Sequence, residues 1–289
     1  MAFFSKLFQS RTKKSEPHFY HFPAVLAGAA GWIAWGNTAL VQTEQVVRSE
    51  RLPAAFSGYR IAHVSDLHNA QFGTDNEKLL ELLRTAAPDC IAVTGDIVDS
   101  RRTDFDVAAA FMDAAAEIAP VYYVTGNHES RLKDYPELEQ RFTDSGVSVL
   151  HGAATDIVRD DERIRLIGID DPDFSSTEDS TAYVADALEG LADEAVFTVL
   201  LSHRPELFAA YAAAGVDLTL SGHAHGGQFR LPFIGGLAAP DQGLFPRYTS
   251  GLYTNGRSQM VVSRGLGNSL FPFRVNNRPE VVLITLEAA

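Results

Sequence analysis

Short apolar runs recur along the chain from residue 59 onward, and a polar cluster closes most of them. They read "YRIAHVSD" (59–66), "CIAVTGD" (90–96), "VYYVTGNH" (121–128), "IRLIGID" (164–170), "AVFTVLLSH" (195–203), "VDLTLSGH" (216–223), "QMVVSRG" (259–265) and "EVVLITLE" (280–287). Their length and β-branched content predict strands that are largely buried. Between them, helical spacing predicts helices over 76–87, 104–118 and 180–190, with shorter ones over 135–145 and 205–214. In "NEKLLELLRTAA" that spacing puts Leu79, Leu80, Leu82 and Leu83 on one apolar side. Strands alternating with helices predict an α/β layered domain. No internal repeat or low-complexity linker divides it. The polar clusters stand at the C-terminal ends of successive strands, where open α/β sheets collect their ligands.

Composition changes this picture in three places. Lysine plus arginine number 24 against 37 aspartates and glutamates, a formal charge of -13. No basic surplus exists to neutralise a nucleic-acid backbone, so no nucleic-acid binding is expected. A small phosphorylated substrate stays compatible, because bound metal reverses the local potential. Cys90 is the single cysteine, which excludes a disulfide framework and a thiolate zinc cluster. At the N-terminus, Lys6, Arg11, Lys13 and Lys14 stand against Glu16, and residues 22–41, "FPAVLAGAAGWIAWGNTALV", carry no charge. A single-pass helix wants about 20 predominantly apolar residues. An anchor or membrane-inserted helix is therefore expected, ahead of a hydrophobic arm or a cleaved signal, since no small-x-small cleavage site follows. The basic flank would leave the main domain outside the cytoplasm, with cytoplasmic-side attachment as the alternative. The chain divides accordingly into a basic N-terminus with anchor, residues 1–42, and a main domain, residues 43–289.

The candidate chemistry lies in the clusters. In "SDLH", Asp66 and His68 follow a strand, and an extended i, i+2 spacing directs both side chains the same way. Carboxylate and imidazole form a common mixed ligand set for a divalent ion. In "TGDIVDS", Asp96 ends a buried strand, and its two oxygens allow it to bridge two ions. Asp99, one turn on, reads as a helix cap or an outer residue. "TGNHES" offers the amide oxygen of Asn127 and the imidazole of His128, which can move a proton or donate to a phosphate oxygen. "LLSHRP" adds His203, and "SGHAH" adds His223 and His225. Each segment alone also reads as a turn or a buried histidine. A turn does not explain seven oxygen or imidazole donors, without a thiolate, at the ends of successive strands.

Taken together the segments resemble the calcineurin-like metallophosphoesterases, whose blocks run D-x-H, G-D-x-x-D, G-N-H-[DE], H and G-H-x-H. "SDLH", "TGDIVD", "GNHE", "SHRP" and "SGHAH" match each block in order. The likeness spans about residues 58–287, and "HGGQFRLPFIGG", "PDQGLFPRYTSGLY" and "SRGLGNSLFPFRVNNRPEVVLITL" are similar to a bacterial branch of membrane-linked or exported phosphodiesterases. The resemblance implies a four-layer α/β/β/α sandwich of two mixed sheets flanked by helices, to which this chain adds its N-terminal hydrophobic helix. It implies one metal ion on Asp66, His68 and His225 and a second on Asn127, His203 and His223. Asp96 would belong to both, and His128 would stand beside them to protonate the leaving group or steady the phosphoryl oxygens. Manganese, zinc and iron all suit such donors. The implied activity is hydrolysis of phosphoric esters, foremost diesters, by in-line attack of water activated between two ions. The alternatives are a phosphomonoesterase, a pyrophosphatase acting on a nucleotide-linked glycolipid precursor, or a metal-dependent binding scaffold. The substrate would be a phosphorylated small molecule or a lipid-linked one. The aperiodic stretch 227–247 would cover a pocket or pack on the domain, with Arg230 and Arg247 as candidate phosphate contacts. Gly265 and Gly267 would present backbone N–H groups to an anion or simply make a turn.

Overall fold

The computed structural model describes residues 21–289; the basic flank holding Lys6, Arg11, Lys13 and Lys14 lies outside the described residues. Helix α1 (His21–Thr38) leads into strand β1 (Val41–Ser49), followed by β2 (Arg60–Val64), α2 (Glu77–Ala86), β3 (Cys90–Thr94), α3 (Phe105–Ala116), β4 (Val121–Val124), α4 (Tyr135–Asp144) and β5 (Ser148–Val149). The second half holds β6 (Ala153–Arg159), β7 (Glu162–Gly168), α5 (Ser180–Leu188), β8 (Thr198–Leu201), α6 (Phe208–Ala213) and β9 (Leu218–Ser221). Two short ribbons follow, β10 (Arg230–Leu231) with β11 (Gly235–Gly236) and β12 (Ala238–Ala239) with β13 (Gly243–Leu244). Strands β14 (Gly251–Asn255), β15 (Ser258–Val262) and β16 (Glu280–Ala288) complete the chain.

The strands form two mixed six-stranded sheets, β1-β16-β2-β3-β4-β5 and β14-β15-β9-β8-β7-β6. Period-two alternation serves two cores at once. In β3, Ile91 and Val93 face a core built with α2, α3 and α4, while Cys90 and Ala92 face the core between the sheets. In β8, Leu200 packs with Phe208 and Tyr211 of α6, and Val199 and Leu201 turn to the intersheet core. Three apolar cores separate four layers, the expected α/β/β/α sandwich. Helix caps agree with local chemistry: Asp104 accepts from Asp106 N and Val107 N, and Asp179 from Thr181 N and Ala182 N.

The membrane expectation is overturned. Among the described residues no helix is long and apolar enough to cross a membrane. Within the uncharged stretch the helix ends at Thr38, and its run is diluted by Gly28, Gly31 and Gly36. Its end is tied to the domain instead: Asn37 Oδ1 accepts from Arg274 N at 2.8 Å, and the Arg278 guanidinium lies 4.8 Å over the Trp35 ring. Attachment through this helix, and with it placement as a single-pass protein at the cell membrane, does not stand.

Candidate metal centre

All seven predicted donors converge at one rim where the two sheets meet. Asp66 and His68 follow β2, Asp96 follows β3, and Asn127 and His128 follow β4; His203 follows β8, and His223 and His225 follow β9. The local geometry is not the extended one expected from the spacing. Asp66, His68, Asp96, His223 and His225 all have φ between 46° and 64°, a left-handed conformation costing of order 1–3 kcal/mol for a non-glycine residue. Interlocked turns hold it. Asp66 N donates to Gly95 O at 3.0 Å, His68 N to Asp96 O at 2.9 Å, and His223 N to both Asp66 carboxylate oxygens at 3.1 Å. Glycines make the approach possible: a Cβ at Gly222 would fall on Ser65 Oγ and Asp66 Oδ2, and one at Gly126 on Asp96 Oδ1.

The donor atoms form two groups sharing Asp96. In one, His68 Nε2 and His225 Nε2 are 3.2 Å apart, His225 Nε2 lies 3.5 Å from Asp66 Oδ1, and His68 Nε2 lies 3.5 Å from Asp96 Oδ2. In the other, His203 Nε2 lies 3.4 Å from Asp96 Oδ2 and 3.1 Å from His223 Nδ1. Donors held about 2.0–2.2 Å from a common ion sit about 3–3.5 Å from one another, so the spacing fits.

Proton accounting tests the fit further. His203 Nδ1 is 2.6 Å from Thr94 O and must donate to it, so Nε2 carries the lone pair whenever the ring is neutral. His223 Nε2 donates to Asp241 Oδ2 at 2.8 Å, leaving Nδ1 as a lone pair. The Asn127 amide oxygen points at both, 3.3 Å from His203 Nε2 and 3.0 Å from His223 Nδ1. With both rings neutral, Asp96 Oδ2, Asn127 Oδ1, His203 Nε2 and His223 Nδ1 are four acceptors facing one another, which a proton or a cation must relieve. Among protein groups alone the amide would be better turned, its oxygen accepting from Arg131 at 3.0 and 3.2 Å. The oxygen-inward orientation is the one a cation favours. These clusters constitute a binuclear divalent-metal site.

Charges shift as that crowding requires. Burial opposes a proton on His203, but Asp96 beside it overrides burial and pushes the ring up to about 10. His68 is pushed down to about 3 by burial. Glu129, fully buried, accepts from Gly126 N at 2.7 Å, Asp96 N at 2.8 Å and Val98 N at 3.2 Å; burial and then Asp96 raise its carboxyl to about 7. Its role as a brace for the Asp96 turn was foreshadowed only by its place in "GNHE".

His128 stands outside both groups, its ring 4.5 Å from that of His68. Ser100 N donates to Nδ1 at 3.0 Å, so the ring proton sits on Nε2, which faces Ser269 Oγ at 3.0 Å. A cavity of about 540 Å³ opens over the centre. Arg101 and Arg131 line it together with Pro240, Leu270 and Phe271, and Arg101 Nη2 donates to Ser269 Oγ at 3.0 Å beside the last two. Several expectations change here. Arg230 is engaged by Gly226 O and Thr249, and Arg247 stacks on Tyr248, so neither lines this cavity. Asp99 caps no helix; it binds Arg101 N at 2.8 Å and lies 3.8 Å from His128 Nδ1. Leu266 N and Gly267 N donate to Ser65 O and Asp66 O, so the 263–269 turn braces the Asp66 loop instead of presenting these groups to an anion. Asp241 was missed in the aperiodic 227–247 stretch, where only the polar break "PDQG" signals it.

A four-layer sandwich with two histidine–carboxylate clusters on a shared aspartate defines a metal-dependent phosphoesterase, a dinuclear hydrolase of phosphate esters. The chain belongs to the calcineurin-like phosphoesterase family, whose pattern matches residues 59–227. It is 30% identical to the uncharacterized metallophosphoesterase YkuE of Bacillus subtilis, covering 92% of this chain and 95% of the relative. It is 28% identical to the phosphodiesterase YaeI of Escherichia coli, covering 79% and 82%. The crystal structure of TT1561 of Thermus thermophilus shares the fold at a TM-score of 0.51 and 15% identity, over 73% of this chain and 91% of that one.

Proposed function

We propose that the chain is a phosphodiesterase of the bacterial branch, with Asp66, His68 and His225 holding one divalent ion, Asn127, His203 and His223 the other, and Asp96 both. Two ions held there supply Lewis-acid polarisation of phosphoryl oxygens and make water acidic enough to attack near neutral pH. The remaining work falls to side chains. His128, its Nδ1 engaged by Ser100 N–H, directs Nε2–H to Ser269 Oγ in the cavity wall, from which a substrate oxygen would take it over. That tautomer supports hydrogen bonding to a phosphoryl or leaving oxygen over transfer from an imidazolium. Arg101 and Arg131 supply positive charge at the rim, and Asp99 holds Arg101 at 3.3 Å.

The observation that carries the diester reading is the mixed lining of the cavity. Arg101 and Arg131 suit the charged and polar parts of a substrate, and Ala238, Ala239, Pro240, Leu270 and Phe271 suit an apolar substituent. A monoester offers a single substituent to that lining, and a diester offers two. The Escherichia coli relative, named a phosphodiesterase, supports the same class. The test compares bis-p-nitrophenyl phosphate with p-nitrophenyl phosphate after loading with manganese, zinc or iron. Higher kcat/KM on the diester is expected. His128→Ala should lower kcat about 10²–10³-fold, as loss of a donor to a developing oxyanion does, and Asp96→Asn should abolish turnover. A monoester preference, or no turnover with any of the three metals, sinks the proposal.

A further inference from the structure

His223 is held by the nitrogen that faces away from the donor cluster. Its Nε2–H donates to Asp241 Oδ2 at 2.8 Å, which keeps the Nδ1 lone pair aimed at His203 Nε2 and Asn127. Asp241 comes from the turn between β12 and β13, outside both main sheets. The same Oδ2 accepts from Arg204 Nη1 at 2.6 Å. Arg204 is itself clamped by Asp171, through Nε at 2.6 Å and Nη2 at 2.7 Å. Asp171 lies just past the end of β7, Arg204 follows His203 past β8, and His223 lies past β9. Charge-assisted bonds thus join three adjacent strand ends to one loop residue.

This arrangement bears on the second donor group alone. Within that group Asp96 is the single carboxylate donor, and Asp241 adds a negative charge on the outer ring nitrogen of His223. A carboxylate on the outer N–H of an imidazole fixes its tautomer and strengthens its ligating nitrogen. Among the described residues the first group has no counterpart: His68 Nδ1 is buried without a partner, and His225 Nδ1 faces Arg274 Nη2 at 3.3 Å. Glu206, His223 and Asp241 also lie within ligand reach of one another, but Arg204 Nη1 already provides the cation there.

We propose that Asp241 is a positioning residue for the ion at Asn127, His203 and His223, and that it ties the pocket wall at 238–241 to that ion. The inference rests on the ligand assignment above. The test titrates manganese into the metal-free full chain by calorimetry, with electron paramagnetic resonance at each step and no substrate present. The wild type is expected to take up two ions and to show a spin-coupled pair. Asp241→Ala should keep one ion at wild-type affinity and bind the other about 10–100-fold more weakly, giving a single-ion spectrum at low manganese. Asp241→Asn retains an acceptor oxygen without the charge and should fall between the two; should the alanine variant fold poorly, it carries the comparison. Two ions at wild-type affinity in both variants overturn the proposal, as does equal weakening of both ions. Fewer than two ions in the wild type overturns the ligand assignment as well. Absence of diester hydrolysis touches only the functional reading, since no turnover is measured.

Discussion

Replacing Arg204 by leucine isolates the energetics of the network behind His203 and His223. The Asp171 side chain is fully buried, and that of Arg204 is 10% exposed. Their bond is bidentate, at 2.6 and 2.7 Å. Without the guanidinium, Asp171 keeps the N–H of Asp173 at 2.9 Å and no positive partner. Removing one member of a buried pair costs about 3–5 kcal/mol, because the other charge stays desolvated. The links from Arg204 to Asp173 and Asp241 add little, since those side chains are 41% and 52% exposed and exposed pairs contribute about 0–1 kcal/mol. At about 2–4 °C per kcal/mol for a domain of this size, Arg204→Leu should lower Tm by about 6–20 °C. Urea unfolding of the metal-free chain reads the same loss. Adding Asp171→Asn to Arg204→Leu removes the stranded charge but keeps an acceptor for Asp173 N–H, and should recover much of it. A single variant within about 1 kcal/mol of wild type, or a double variant no better than the single, would refute the reasoning.

Three further predictions follow from particular contacts. Gly222→Ala should destabilise by about 1–3 kcal/mol and lower metal content measured by mass spectrometry, because its Cβ meets Ser65 Oγ and Asp66 Oδ2; unchanged content would show that the Asp66 loop yields freely. The hydrogen bond to Asp170 raises His151 from 6.5 to about 9 against the opposing effect of burial, and the charges of Asp170 and Glu139 add to it. Its stabilisation is fully present below about 6.5 and is lost as pH rises through 9, so the Tm deficit of His151→Asn should be largest at pH 6 and shrink by pH 9.5. A deficit independent of pH contradicts that linkage. Burial pushes the Cys90 thiol up to about 12, so its labelling by a thiol reagent at pH 8 should be no faster than unfolding; rapid labelling of the native chain would place Cys90 outside the core.

Much of the architecture was legible because buried strands and amphipathic helices announce themselves locally. "CIAVT" reads as a strand, and "EKLLELLRTA" as a helix, whatever surrounds them. Strands β1, β6 and β14 were not predicted, and the cause is visible in their burial: most of their residues stay partly or fully exposed, so no continuous apolar run marks them. The uncharged stretch 22–41 misled for the converse reason. Lack of charge is necessary for a membrane span, but alanine and glycine supply little apolar surface, and the helix stops at Thr38.

The amino-acid sequence by itself determined the alternation of strands and helices, the strand ends that carry polar groups, and the seven donors, because each depends on periodicity or on a short motif; the division into two sheets was implied by the family resemblance alone. Only the tertiary structure decided how those donors meet. Asp66, His68, His223 and His225 converge through left-handed turns held by bonds from distant segments, where the spacing had suggested extended chain. Glu129 beneath Asp96, Arg131 beside Asn127 and Asp241 behind His223 emerged the same way. Bonds such as the one from Asp241 to His223 join residues with no periodic relation, and folding alone brings such partners within reach.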